Sequence, residues 1–438
     1  MILRRPPLAV LALLAAALPA LAGAQQRPSI VVGSPDFRPM PIAVAAFQGE
    51  GDAKLAADVT EVVRGDLVLS GLFDVLDPRG FLADPAEGLA APSIRFARWA
   101  DVGAEGLVKA RVRRGPQEVE GELHLYEVRA GREVLLRTLR VGGTEGRALA
   151  HRIADEVVRY YTREPGIFST QLAAVRKGKG SWDLVAVDVD GGNPRVLLSE
   201  RSILLAPAWR PDGREILVTS YRTGRPQLWA FRLADRSFRP LGGRANAMGG
   251  VYSPDGARIA FTVTQGASTD IWVMAADGTG ARQLTRSGAI DVSPTWSPDG
   301  RRIAFTSDRA GTPQLYVMNG DGSGARRLTF QGNYNQTPAW SPRGDLIAFT
   351  ARDERKVFDV FVVSPDGGGI SRITQDQGRT NEEPSWAPNG RMLVFRSDRA
   401  GPGQLVLSDP KGDHQTIVAG GGRTGDLSGP AWGPFPPQ

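Results

Sequence analysis

The sequence contains no cysteine among its 438 residues and only three histidines. Without cysteine the chain cannot form disulfides, zinc–thiolate sites, iron–sulfur clusters or cysteine nucleophiles. His124, His151 and His414 lie far apart in the chain, which disfavours a multi-histidine metal or catalytic site. We therefore predict neither a metal nor a cofactor, and we expect each histidine to be a surface or partly buried residue.

Catalytic and nucleic-acid-binding signatures are also missing. No serine stands in the Gly-x-Ser-x-Gly motif of α/β-hydrolases, and Lys177–Ser181 does not match a phosphate-binding loop. The net charge of +6 is small for this length, and basic and aromatic residues are not interleaved on any segment. These absences argue against a serine peptidase, a P-loop protein and a nucleic-acid-binding protein.

Long apolar runs are absent except near the start of the chain. Leu8–Leu18 is apolar, follows the basic residues Arg4 and Arg5, and is too short to cross a bilayer. Ala22-Gly23-Ala24 has the small-x-small form that signal peptidase needs. We expect residues 1–24 to be a signal peptide cleaved after Ala24, and the exported protein to be soluble, with no direct membrane insertion. The alternative is an uncleaved N-terminal anchor.

Glycine and proline, by contrast, are abundant, at 53 and 32 residues, as in proteins with many tight turns between short strands. A Pro-x-Trp-Ser-Pro-Asp-Gly pattern recurs with variations, and its aromatic residues are 43 to 46 positions apart. A period in the mid-forties is typical of the four-stranded blades of a β-propeller. The aromatic positions are Trp209, Tyr252, Trp296, Trp340, Trp386 and Trp432.

One repeat unit shows how four strands follow each other. Strands are predicted over residues 293–296, 302–306, 314–318 and 325–329, with turn residues between them. The first unit lacks a Trp strand of its own, and the last Trp strand has no further strands after it. We therefore predict an all-β six-bladed propeller over residues 167–438, in which the C-terminal strand completes the first blade and closes the ring.

Residues 41–163 lack this repeat and alternate between β and α periodicity, which predicts a small α/β domain. A linker at residues 164–166 should leave the two domains in contact. Residues 25–40 are expected to be extended. The expected strands are 41–47, 72–76, 106–112, 119–128 and 133–139, and the expected helices are 52–69 and a second one from a Thr144 cap to about Thr162.

The residues just before each Trp strand vary between repeats, while the aromatic position does not. In a repeat fold such variation on one rim indicates the binding face, here the mouth of the central channel. The alternative is a set of tolerant loops. Their mixed polarity suits a protein or peptide partner better than a metal. Five residues before the aromatic position stand Leu204, Ala247, Asp291, Asn335, Asn381 and Leu427, and four before it Leu205, Met248, Val292, Gln336, Glu382 and Ser428.

The order of these features, from signal peptide through α/β domain to the terminal Pro430-Ala-Trp432, resembles the TolB family of the Tol–Pal envelope system. The resemblance implies a non-enzymatic, monomeric periplasmic scaffold in a Gram-negative bacterium. It would bind the peptidoglycan-associated lipoprotein Pal at the channel mouth and TolA through the extended N-terminal segment. It also implies roles in outer-membrane integrity and in constriction at cell division, with other envelope lipoproteins or porins as further partners.

The resemblance assigns positions to both contacts. The chain departs from familiar members of the family at Asn246–Gly250, where they carry His-Asn-Gly-Ala-Pro, and at Asp291–Pro294, where they carry Asn-Thr-Glu-Pro. The TolA contacts would be Arg27, Ile30, Val32, Asp36 and Phe37. The Pal contacts would be Asn246, Met248, Gly249, Asp291, Val292, Ser293, Asn335, Gln336, Asn381 and Glu382.

Two alternatives to this function stay open at the level of sequence. One is a propeller enzyme acting on polysaccharide, a lyase or hydrolase with a metal at the channel mouth. A histidine cluster in the channel would favour this enzyme, and the sequence supplies none. The other is an exported ligand-binding propeller unrelated to the Tol–Pal system. Because binding surfaces leave no motif, sequence chemistry alone does not separate it from a TolB-like scaffold.

Overall fold

The structure is a computed structural model that describes residues 30, 37–84, 86–143, 145–242, 246–352, 355–421 and 424–436. The predicted signal peptide lies outside the described residues, as does most of the segment 25–40. Among the described residues, no helix has both the length and the apolar character needed to cross a membrane.

The N-terminal domain is built on one mixed sheet with strand order β3-β1-β4-β5-β6, and the short β2 pairs with β4. The first strand runs parallel to its two neighbours, and the last three strands are antiparallel to one another. The strands are β1 Met40–Val44, β2 Gln48–Glu50, β3 Phe73–Val75, β4 Gly106–Arg114, β5 Glu118–Glu127 and β6 Arg132–Gly142.

Two long helices, α1 Ala53–Leu69 and α3 Arg147–Thr162, pack their apolar residues against this sheet. The first begins where it was predicted, because the Asp52 carboxylate accepts a hydrogen bond from the backbone N–H of Leu55 at 2.8 Å. The second begins after Gly146, later than the Thr144 cap predicted from the sequence; Thr144 lies outside the described residues.

Besides the short strand β2, three short helical elements of this domain were not predicted. They are the helix α2 Phe96–Asp101 and two single 3₁₀ turns at Pro78–Gly80 and Ala91–Ser93. Trp99 of α2 is buried with Leu107 and Tyr126 in a second apolar cluster of this domain.

Six four-stranded antiparallel sheets form the blades of the propeller. The first three blades are β7 Gln171–Lys177, β8 Trp182–Asp188, β9 Arg195–Glu200 and β30 Asp426–Trp432; β10 Leu204–Trp209, β11 Glu215–Ser220, β12 Gln227–Arg232 and β13 Phe238–Pro240; and β14 Ala247–Tyr252, β15 Arg258–Gln265, β16 Ser268–Ala275 and β17 Arg282–Gln283. The last three are β18 Asp291–Trp296, β19 Arg302–Ser307, β20 Gln314–Asn319 and β21 Arg326–Arg327; β22 Asn335–Trp340, β23 Ile347–Arg352, β24 Phe358–Val363 and β25 Ser371–Arg372; and β26 Asn381–Trp386, β27 Leu393–Ser397, β28 Gln404–Ser408 and β29 Gln415–Ala419.

In the first blade the innermost strand comes from the far end of the chain. β30 pairs antiparallel with β7, with Asp426 opposite Lys177 and Trp432 opposite Leu172. The inner strands β10, β14, β18, β22, β26 and β30 contact one another in sequence, and β30 contacts β10 again. The six blades therefore form a closed ring.

Each repeated aromatic residue is the last residue of an inner strand, and it connects its blade to a neighbouring blade. The indole N–H of Trp209 donates to the carbonyl oxygen of Ala431 at 3.2 Å, across the seam between the last strand and the second blade. Trp386 makes the equivalent hydrogen bond to the preceding blade at 2.9 Å. Because these side chains bury a large apolar area between blades, their repetition reflects ring assembly rather than sugar binding.

The two domains share one apolar core, to which α3 contributes Val157 and Tyr161 and the first propeller blade contributes Leu172. The linker between them is held by polar contacts as well. The Glu164 carboxylate forms ion pairs with Arg343 and Arg391, which lie in turns of the fifth and sixth blades. The N-terminal domain is therefore packed against the propeller and not merely joined to it by the linker.

Candidate functional site

All six inner strands carry the same backbone irregularity. In each of them the pairing register with the next strand shifts between two residues, the one four positions before the aromatic residue and the one directly before it. In β18 the shift lies between Val292 and Thr295. The residue three before the aromatic position has a positive φ of 49–62° in every blade. Such a bulge re-aims side chains at a strand edge and is often found beside functional sites. The six residues are Ala206, Gly249, Ser293, Thr337, Glu383 and Gly429.

The bulge produces the same burial pattern in every inner strand. The residues four and three before the aromatic position are exposed or half-buried, while the residues on either side of them are buried. These two rows are therefore the part of the channel mouth that a partner can reach. Of the predicted Pal contacts, they include Met248, Gly249, Val292, Ser293, Gln336 and Glu382.

The residues five positions before the aromatic position differ from the two accessible rows, because the polar ones among them are buried and paired within the protein. The Asp291 carboxylate binds the guanidinium of Arg309 at 2.9 Å. The Asn335 side-chain amide donates to Gln314 Oε1 at 2.9 Å. These residues fix the start of their own inner strands, so substitutions there would test folding rather than partner binding.

Asn381 is the third buried polar residue of this row. Its side-chain amide donates to Asp359 Oδ1 at 3.0 Å, and its side-chain oxygen accepts from Ser397 Oγ at 2.7 Å. Asn246, also predicted as a contact, is half-buried just before β14, with a φ of 65°. The structure therefore places the predicted Pal contacts at one end of the channel but leaves only part of them accessible.

Large apolar side chains are exposed in the inner strands and in the segments that lead into them. Leu205 is 38% exposed, Ile290 48%, and Phe330, in the loop that enters β22, is 72% exposed. Exposed apolar residues that gather on one face mark interaction surfaces. Sequence variation pointed to the rows beside the channel, but Phe330 was not singled out, since a single loop aromatic carries no pattern.

The N-terminal domain lies at the opposite end of the channel. The propeller residues that meet it, including Arg343, Arg391 and His414, lie in turns at the ends of the blades away from the start of the inner strands. The described part of the N-terminal domain therefore does not cover the channel mouth.

Of the five predicted TolA contacts, Ile30 and Phe37 are described, while Arg27, Val32 and Asp36 lie outside the described residues. The backbone N–H of Ile30 donates to the carbonyl oxygen of Tyr161 at 3.0 Å. Both described side chains are half-buried against the core that the two domains share. Phe37 also lines a groove between the domains, together with Leu72 and Met392.

A buried charged cluster ties α1 and α3 to the first blade, and nothing in the sequence predicted it. His151 Nδ1 lies 2.7 Å from Asp66 Oδ2, and His151 Nε2 lies 3.6 Å from Asp188 Oδ2. The Arg147 guanidinium contacts Asp188 at 3.1 Å and also binds Asp190. We define these five residues as the interdomain cluster. The cluster joins three distant segments: α1 and α3 bring Asp66 to His151, and the docking of the domains adds Asp188 and Asp190.

Burial and the neighbouring charges shift the ionisation of this cluster in opposing ways. Burial alone would lower the pKa of His151, but the carboxylates of Asp188 and Asp66 raise it to about 10. Burial raises the pKa of Asp66 to about 6 although His151 works against the shift. At neutral pH the cluster therefore holds an imidazolium ion between ionised carboxylates.

Part of this cluster has the composition of a metal site. Within the described ranges, Asp66, His151 and Asp190 bring ligand atoms to within 4.8 Å of one another. The guanidinium of Arg147 and the protonated imidazole already supply the positive charge that these carboxylates need. We therefore interpret the cluster as an ionic contact between domains.

Fold and site together define a class of protein: a two-domain propeller protein whose candidate site is a binding surface at the uncovered end of the channel. The family described as "TolB beta propeller domain" matches residues 158–436, and that described as "TolB amino-terminal domain" matches residues 28–134. The chain therefore belongs to the TolB family, which confirms both the resemblance seen in the sequence and the predicted fold class.

Individual relatives and structures agree with this assignment. The chain is 78% identical over 438 residues, the full length of both chains, to the "Tol-Pal system protein TolB" of Anaeromyxobacter sp. (strain K) and to that of Anaeromyxobacter dehalogenans (strain 2CP-C). It is 46% identical to the protein of that name from Myxococcus xanthus (strain DK1622) over 48% of each chain. The crystal structure of TolB from Acinetobacter baumannii superposes with a TM-score of 0.80 at 26% identity, covering 91% of this chain and 97% of that one.

Proposed function

We propose that this protein is a non-enzymatic periplasmic scaffold of the Tol–Pal system, which binds Pal at the channel mouth and TolA through its N-terminal segment. In this role it maintains outer-membrane integrity and supports constriction at cell division. The observation that carries the proposal is the mouth itself, whose accessible rows are partly apolar and which the described part of the N-terminal domain does not cover.

The positions of the histidines favour a binding protein over a polysaccharide-degrading enzyme. His124 lies in β5 of the N-terminal sheet, His151 belongs to the interdomain cluster, and His414 faces the N-terminal domain. None of the three is at the channel mouth, where such an enzyme would need its metal ligands or its general base.

The proposed TolA contact is supported by the placement of the two described residues of the segment. Ile30 and Phe37 pack on the N-terminal domain and its border with the propeller, far from the mouth. The two partners would therefore use opposite ends of the molecule. Periplasmic location would follow from export and cleavage after Ala24, as the sequence predicts.

Calorimetric titration of residues 25–438 with soluble Pal from the same organism tests the proposal. Because Asp291 and Asn381 are buried, the informative variant is Val292→Arg, which places a charge in the accessible row. The matched control is Val196→Arg on the outer strand of the first blade, where the valine is 42% exposed. We expect one-to-one binding that is lost in Val292→Arg and kept in the control.

The same titration with soluble TolA, comparing residues 25–438 with residues 38–438, tests the second contact. We expect binding only by the longer chain. Failure of the wild-type protein to bind Pal at any workable concentration would refute the Pal assignment, and equal binding of TolA by both chains would refute the role of the segment.

A further inference from the structure

The accessible row at the channel mouth is divided by polarity into two halves. In blades two to four, the residue four before the aromatic position is Leu205, Met248 and Val292. In blades five, six and one it is Gln336, Glu382 and Ser428. Three neighbouring blades are thus apolar at this position, and the three neighbouring blades opposite them are polar.

Charge follows the same division. The six inner strands, all of whose residues are described, contain no lysine or arginine. Their acids are Asp291, which is buried against Arg309, and three others that stand on blades six and one. Those three are Glu382, Glu383 and Asp426.

Among the described residues, one cation, Arg396, lies within ion-pair distance of any of the three carboxylates at the mouth. Arg396 lies 3.0 Å from Glu382 and 3.9 Å from Asp426, so one guanidinium serves two carboxylates. Glu383 accepts a hydrogen bond from the backbone N–H of Gly429 at 2.7 Å. Burial and the nearby Glu383 raise the pKa of Glu382 above its usual range, as expected where negative charge is incompletely balanced.

The opposite half offers apolar area instead of charge. Besides the three row residues, Ile203 and Ile290 are exposed at the entrances of their inner strands. A partner that covers these side chains removes their apolar surface from water, which favours binding by about 25 cal/mol per Å². The two halves therefore select different groups on a partner.

We propose that the mouth binds a Pal surface that presents an apolar side chain to blades two to four and a lysine or arginine to the carboxylates of blades six and one. A ring of six similar blades would otherwise offer six equivalent docking angles. The division by polarity leaves one angle at which both groups are matched, so Pal docks in a single rotational orientation about the channel axis. This inference rests on the proposed function.

Calorimetry across a range of salt concentrations separates the two halves. Neutralising the acidic half with Glu382→Gln and Asp426→Asn should weaken Pal binding about tenfold in low salt and flatten its salt dependence. The matched control Asp58→Asn breaks an exposed ion pair with Lys54 in the N-terminal domain and should leave both unchanged. Thermal unfolding of each variant verifies that the propeller is intact.

The apolar half is tested by Leu205→Asn and Ile290→Asn. We expect about a tenfold loss of affinity, with the salt dependence of the wild type retained. If the acidic variant binds Pal as tightly as the wild type, or if wild-type affinity does not depend on salt, the inference is overturned while the proposed function stands. If the wild type does not bind Pal, the proposed function itself fails.

The absence of cysteine provides a direct test of orientation. Single cysteines introduced at Ser293 on blade four and at Ser428 on blade one, three blades apart across the ring, can carry a photoactivatable cross-linker. A single orientation predicts that each position cross-links a different Pal peptide. The same set of Pal peptides from both positions would overturn the proposed orientation even if Pal binds.

Discussion

The interdomain cluster predicts a specific dependence of stability on pH, which the variant His151→Gln isolates. Because the folded-state pKa of His151 is raised from 6.5 to about 10, the native protein holds a proton that the unfolded chain releases. The stabilisation is complete below about pH 6.5 and is lost as the pH rises towards 10. Asp66, with a pKa of about 6, is ionised in both states above pH 7 and adds no slope there.

The size of the effect follows from one proton. Between pH 7 and pH 9, where the folded protein keeps this proton and the unfolded chain does not, the free energy of unfolding falls by about 1.4 kcal/mol per pH unit, or 2–3 kcal/mol in all. Glutamine does not titrate, so the variant lacks this slope. At pH 7 the variant should be less stable by about 3–5 kcal/mol, since the buried carboxylate of Asp66 loses its cation while Asp188 keeps only Arg147.

Urea-induced unfolding of both proteins at several pH values between 7 and 10 measures this effect. Groups outside the interdomain cluster titrate equally in both chains, so the difference between the two curves reports the cluster with and without the imidazolium. The curves should converge as the pH approaches 10. The matched control is His414→Gln, because His414 is exposed, and its curve should run parallel to that of the wild type. Parallel curves for wild type and His151→Gln would refute the buried imidazolium.

Three further predictions concern the linker and the ring. Glu164→Gln should speed proteolytic cleavage of residues 163–167, because the Glu164 carboxylate pairs with Arg391 and a second arginine on the propeller. Unchanged cleavage would show that these ion pairs do not hold the linker against the propeller. Trp209→Phe should lower the free energy of unfolding by about 1 kcal/mol through the lost hydrogen bond to Ala431, measured by urea titration. Ser293→Gly should raise the melting temperature, with a gain of up to about 1 kcal/mol, because the φ of 54° there strains any residue but glycine; a lower melting temperature would argue against the bulge.

The repeated aromatic residue made the propeller predictable from sequence. Its spacing gave the number of blades, and the offset between Trp strands and second strands indicated which strand would close the ring. The helix α2 was not predictable in the same way. It has six residues, too few for an apolar period to stand out, and its formation depends on the burial of Trp99 against the sheet.

The sequence predicted a set of residues at the channel mouth, but not which of them are accessible. Variation between repeats pointed to these positions, yet it gave the buried Asp291 and the accessible Val292 equal weight. Val292 reaches solvent because of the bulge in β18, whereas Asp291 is buried because its carboxylate pairs with Arg309, 18 positions further along the chain. The interdomain cluster was beyond the sequence altogether, because Asp66 and His151 lie on different helices, 85 positions apart, and carry no motif.

The pairing of β30 with β7 sets the order in which the propeller can fold. Blades two to six are each made from consecutive strands and can form as local hairpins, whereas the first blade joins segments about 250 residues apart. Until Asp426–Trp432 pairs with β7, this strand presents an unpaired edge. The indole of Trp209 also lacks its hydrogen-bond acceptor, the carbonyl oxygen of Ala431. We expect closing this seam to be the slow, non-local step of folding. A chain arrested before it would be an open stack of blades prone to pair edge to edge with other copies.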